Sequence, residues 1–150
     1  MATTFTNLLY HIVFSTKLRH PLITPALRTD LYAYLGGIIR GHGGTLVKVG
    51  GMPDHIHLVI QSQADIAVSD MLRQIKGSSS KWINNRRDST TRFGWQTGYG
   101  AFSVSASQLE SVVEYVEKQE EHHRKMTFQE ELIKLLERHG IEYDERYLWD

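Results

Sequence analysis

The 150-residue sequence contains no cysteine and only three prolines. Without cysteine there is no disulfide framework and no thiolate metal site. No apolar run approaches the ~20 residues that span a bilayer. The opening Met-Ala-Thr-Thr-Phe lacks a charged stretch followed by an apolar one, so no secretory signal is expected, and the cytoplasm is the expected compartment. An excess of charge is also missing: Lys plus Arg number 17 and Asp plus Glu 17. That balance argues against a uniformly basic nucleic-acid binder. It conceals local asymmetry, because residues 71–92 carry a net +5 and residues 110–150 a net −6. What is present is 41% hydrophobic and 10% aromatic residues, enough to collapse around a core and exclude a disordered chain. The length suits one domain over residues 1–150, with an acidic C-terminal helix and tail from about residue 125.

Leu8 to Ser15 is rich in β-branched and aromatic residues and predicts a strand. Thr24-Pro25 predicts a helix start, running to about Arg40 and ending at the Gly41–Gly44 cluster. That cluster lacks phosphate-loop spacing and precedes a strand, so it reads as a turn. Thr45–Val49 and His55–Gln61 predict a hairpin joined at Gly50–Asp54. Ala64 to about Asn85 predicts a helix, and Phe93–Val104 a glycine-broken strand region. Ser107-Gln-Leu-Glu110 has the form of a capping box, followed by an apolar stripe at Leu109, Val112, Val113 and Val116. A last helix is expected over Phe128–Arg138. Mixed strands and helices without steady alternation predict an α+β fold, an antiparallel sheet with helices packed mainly on one face.

Two groups of residues carry chemistry. His55 and His57 flank Ile56 on a strand, so both imidazoles share one face, their Cα atoms about 7 Å apart. Ile56, Leu58 and Ile60 anchor the other face, which makes the strand a rigid platform for two metal ligands. Tyr115 and Gln119 stand four residues apart on the late helix, about 240° and 280° round from Leu109, on the shoulder of its buried stripe. His122 shares that shoulder and reads as a residue orienting Gln119 or a phosphate. Should the two groups meet, they offer two imidazole nitrogens and one amide oxygen beside a phenol, a donor set suited to Mn2+, or to Mg2+ with phosphate. Phenol is a weak nucleophile near neutral pH, and a metal that polarises a phosphodiester would assist it. Lys17, Arg73, Lys76, Lys81, Arg86, Arg87 and Arg92 are the candidate DNA contacts, with Trp82, Phe93 and Trp95 as candidate stacking surfaces. His11 reads as a core residue, with a place behind the site as the alternative, and Tyr99 as a packing residue, with the DNA groove as the alternative.

The histidine–hydrophobe–histidine strand followed some sixty residues later by Tyr115-Val-Glu-Lys-Gln119 resembles the HUH single-tyrosine transposases of small bacterial insertion sequences. The resemblance extends through Tyr10–Lys17, Gly51–Leu58, Phe93–Ser103 and Tyr115–Arg124, in that order. It implies a ferredoxin-like fold, Tyr115 as nucleophile, and His55, His57 and Gln119 as ligands of Mg2+ or Mn2+. It further implies cleavage and rejoining of single-stranded DNA at hairpin-flanked element ends through a 5′-phosphotyrosine, leaving a free 3′-hydroxyl. A homodimer is expected, with the tyrosine helix serving its own site or its partner's. The acidic stretch after Arg124 is left without a role. The alternatives are a domesticated hairpin-DNA-binding or processing protein related to repeated-palindrome-associated transposases, a DNA-binding module without chemistry, and a hydrolase using metal-bound water.

Overall fold

The computed structural model describes residues 3–87 and 91–149. Its centre is a four-stranded antiparallel sheet in the order β2-β3-β1-β4, formed by β1 (Leu8–Ser15), β2 (Thr45–Met52), β3 (His55–Ser62) and β4 (Gly100–Val104). Alternation along the strands divides the sheet into two unlike faces. Ile12, Phe14, Ile56, Leu58 and Ile60 point to one face, where α1 (Pro25–Gly41) and α2 (Val68–Arg86) bury Leu31, Leu35, Ile39, Met71, Leu72, Ile75 and Ile83 against them. This face holds the larger of the two buried apolar clusters, and removal of apolar surface from water is the dominant favourable term in folding. His11, Val13, His55 and His57 alternate with those residues and so belong to the other face. The shorter helices α3 (Leu109–Glu117), α4 (Gln119–His122) and α5 (Phe128–Arg138) cover that second face. There Val13 and Phe102 pack with Phe128, Leu132, Leu135 and Leu136.

Local signals account for most element ends. Thr24 caps α1, its side chain accepting from the Leu27 N–H at 3.2 Å, with Pro25 in the first turn. Gly43, at φ 80°, takes the left-handed conformation that closes α1 onto β2. The capping box expected at Ser107–Glu110 does not form. A 3-10 turn over Ala106–Gln108 uses the Ser105 carbonyl, which moves the helix start past Ser107. The capping box lies instead at α5, between Thr127 and Glu130. Helix α2 starts at Val68, later than the expected Ala64.

The late helix is also not continuous. Lys118, at φ −97° and ψ 30°, separates α3 from α4, and Gln119 becomes fully buried while Tyr115 stays half-buried. Close approach of α3 to the hairpin depends on Gly50, where a Cβ would lie 2.3 Å from the Val116 carbonyl oxygen. We expect Gly50→Ala to cost about 1–3 kcal/mol by forcing α3 outward. Chemical denaturation measures that loss. An unchanged midpoint would show that α3 does not rest on this strand.

Candidate functional site

The two histidines of β3 are completely buried on the face that α3, α4 and α5 cover. Each has its ring held from behind. Asp54, in the β2–β3 turn, accepts from His55 Nδ1 at 2.8 Å, and His11 Nε2 pairs with His57 Nδ1 at 2.8 Å. Such outer bonds fix ring orientation and leave both Nε2 atoms aimed the same way. Thus His11 is both buried, as expected, and in the alternative place behind the site, where it positions His57.

In front of the rings, Gln119 Oε1 lies 3.0 Å from His55 Nε2. Glu131 Oε1 lies 3.0 Å from His57 Nε2 and 3.3 Å from His55 Nε2. His123 Nε2 joins the same two oxygens, donating to Glu131 at 2.9 Å and standing 3.1 Å from Gln119 Oε1. The other Glu131 oxygen, Oε2, accepts from the Tyr115 hydroxyl and from Gln119 Nε2, the latter at 3.1 Å. The tyrosine ring stands 5.8 Å from the His57 ring and stacks on His122 at 4.5 Å. All of these groups lie together within the one chain described.

The electrostatics follow from burial and pairing. For Glu131, burial opposes charge, but hydrogen bonds from His123, His55 and His57 outweigh it and hold the carboxyl well below its usual range. Burial also opposes the charge on His55, yet its bonds to Asp54 and Glu131 raise it to about 9. His11 is pushed down to about 3 by burial and then by His57, and His57 is lowered mainly by burial. The phenol of Tyr115 is raised by burial and by the Glu131 charge, so it keeps its proton.

His55 therefore carries a pH dependence. Its pKa lies above the ordinary 6.5, so its stabilising contribution is complete below pH 6.5 and disappears as pH rises through about 9. For chelator-treated protein we expect a fall of about 3 kcal/mol over that window. Urea unfolding at several pH values measures it, and Asp54→Asn should flatten the slope. A flat wild-type profile between these limits would sink the assignment.

His55, His57 and Glu131 form a buried group whose ligand atoms lie within 4.8 Å of one another, which could hold a metal ion. The separations fit. Donors at right angles around one ion, each at ~2.1 Å, stand about 3.0 Å apart, near the observed 3.0 and 3.3 Å. Gln119 adds an amide oxygen at the same distance from His55.

Of the sequence-derived candidates, His55, His57, Tyr115 and Gln119 come together. Glu131 was not among them, although a signal existed: it lies on the apolar stripe of α5 with Phe128, Leu132 and Leu135, where an unpaired carboxylate is costly. His123, and not His122, contacts Gln119. The basic residues of α2 lie with that helix on the opposite face of the sheet. Arg73 pairs with Asp70 at 3.1 Å and Arg86 with Asp30 at 2.8 Å, while Lys76 donates to the carbonyls of Thr97 and Gly98. Lys17, Lys81 and Arg92 are exposed, and Arg87 is half-buried. Phe93 and Trp95 are core residues and offer no surface for a base, and Trp82 is stacked on Tyr34 at 4.7 Å. Tyr99, expected to pack, is 39% exposed beside Lys76, in a groove with Arg73.

A rigid sheet presenting paired imidazoles and a carboxylate beside a phenol defines a candidate metal centre. Residues 4–119 match the family described as IS200-like transposases, and the chain belongs to that family. Cleavage and joining of DNA is therefore its class of activity. It is 24% identical over 115 residues to the ISDra2 transposase TnpA of Deinococcus radiodurans, covering 73% of this chain and 82% of that protein. Its fold is similar to a crystal structure of a candidate transposase from Deinococcus radiodurans R1, with TM-score 0.64, 23% identity, and coverage of 79% of this chain and 95% of the other. It is also similar to a REP-associated tyrosine transposase bound to a REP hairpin, with TM-score 0.60, 12% identity, and coverage of 79% and 70% respectively. No helix among the described residues is long and apolar enough to cross a membrane.

Proposed function

We propose that this transposase cleaves and rejoins single-stranded DNA at hairpin-flanked ends through a covalent bond between Tyr115 and a 5′-phosphate. The observation that carries this reading is the shared carboxylate: Glu131 touches both imidazoles with Oε1 and the Tyr115 hydroxyl with Oε2. One side chain thus couples the nucleophile to the candidate metal centre. His55, His57, Glu131 and Gln119 would hold Mg2+ or Mn2+. The ion's contribution when bound is to neutralise charge on the phosphate oxygens.

The residues supply the remaining chemistry. Tyr115 Oη, oriented by its bond to Glu131 Oε2, attacks phosphorus as the phenol gives up its proton. The bond from phosphorus to the 3′ oxygen breaks, and that oxygen takes up the proton as a 3′-hydroxyl. The phosphotyrosine keeps the energy of the broken bond, so a 3′-hydroxyl can reverse the step and join a strand. Hairpin DNA as the substrate is supported by the REP hairpin bound to the structurally similar tyrosine transposase. Exposed Lys17, Arg73, Lys81 and Arg92, with Lys76, Arg86 and Arg87, would contact the phosphates of the flanking DNA. A homodimer remains part of the proposal for pairing two ends, although the groups of the site already meet within one chain.

The test is incubation with single-stranded hairpin DNA from the flanks of the gene, with Mg2+ or Mn2+. A denaturation-resistant protein–DNA adduct and a free 3′-hydroxyl are expected, and both should be lost in EDTA. Hydrolysed products without any adduct would defeat the proposal in favour of a metal-bound water.

A further inference from the structure

Beside the tyrosine lies a cleft of about 500 Å3 between β4, α3 and α5. Tyr115 and Ser111 form its α3 wall, Ser103 lies on β4, and Arg138 and His139 close it from α5. Its volume falls in the range of small-molecule sites. His139 stacks on Phe102 with centroids 4.3 Å apart and planes 22° apart, and is itself exposed, so one ring face is left for another flat group. Arg138 is exposed, forms no ion pair within 4.0 Å among the described residues, and its charge bears on the Tyr115 phenol. An unpaired guanidinium, a free ring face and a hydroxyl-rich wall, opening onto a nucleophile for phosphate, share one chemistry. Arg138 and His139 also lie beyond the residues that the family model matches.

The geometry points to this cleft as the seat of a single nucleotide of the DNA strand, the one adjoining the attacked phosphate, with its base against His139 and its own phosphate on Arg138. This rests on the reading of Tyr115 as the attacking group. Arg138 is a positioning residue: its fork suits a phosphate, and it stands where it would hold the strand against the phenol.

The probes are the dinucleotides d(TpT) and d(ApA), titrated to millimolar concentration and followed by NMR of the histidine ring protons. The His139 and His11 signals are expected to shift and saturate. Arg138→Ala should weaken binding at least about fivefold, and Arg138→Lys, which keeps the charge but loses the fork, should restore part of it. Ser111→Trp, which fills the mouth from an exposed position, should abolish the shifts while circular dichroism stays unchanged. Unmoved histidine signals, or binding that survives Ser111→Trp, would overturn the assignment. The two readings fail separately. Dinucleotide binding without any adduct on hairpin DNA removes the phosphotyrosine and keeps the cleft. Normal adduct formation by Arg138→Ala together with silent histidine signals removes the cleft and keeps the phosphotyrosine.

Discussion

Tyr115→Phe should form no covalent adduct with hairpin DNA, a loss of at least about 10^4-fold in rate, while binding metal nearly as well as the wild type. The size follows from the role: a nucleophile supplies the bond itself, and its removal costs more than that of any orienting group. The selectivity follows from the geometry. Only the hydroxyl is lost, and the ring keeps its packing against His122, His57 and His11. Glu131 Oε2 retains the bond from Gln119 Nε2, so the carboxylate is not left unpartnered. The stability cost should stay near 1 kcal/mol, that of one hydrogen bond. Adduct yield on denaturing gels, beside metal titration of the same sample, checks both halves. An adduct that persists in the variant would move the nucleophile elsewhere.

The parts of the fold that rest on short-range rules were legible in the sequence. Thr24-Pro25 starts a helix because a hydroxyl can accept from its first free N–H groups, and Ile56, Leu58 and Ile60 mark a buried face because strands alternate. The same alternation put His55 and His57 side by side. Their meeting with Tyr115 and Gln119 was not dictated by periodicity. It requires α3 to lie on the hairpin, which Gly50 permits through a contact 66 residues distant in the chain. What the sequence concealed has a consistent cause. The Ser107–Glu110 pattern satisfies a local rule but loses to a competing turn at Ser105. Phe93 and Trp95 sit among basic residues in sequence and in the core in space. Glu131 looked like one of many acids in a solvated tail, because composition counts charges without saying which one a helix turns inward.

Glu131 carries the second large effect. Glu131→Ala should weaken Mn2+ binding by at least about 100-fold and eliminate the adduct, and Glu131→Gln should fall between it and the wild type. Two losses combine. One ligand oxygen disappears from a buried donor set, and with it the negative charge that would offset the cation's. The amide of Gln keeps an acceptor for His57 and His123 but neither the charge nor the second oxygen that accepts from the phenol. Without metal, Glu131→Ala should also destabilise the fold by about 3–5 kcal/mol, the cost of stranding a buried charge. Isothermal titration with Mn2+, unfolding with and without chelator, and adduct yield separate these contributions. The opposite signs have a definite meaning. If either variant bound Mn2+ more tightly and formed more adduct, the carboxylate would be occupying a place that belongs to the ion or the phosphate. His55, His57 and Gln119 would then be the whole ligand set, and α5 a segment that must leave before the strand can enter.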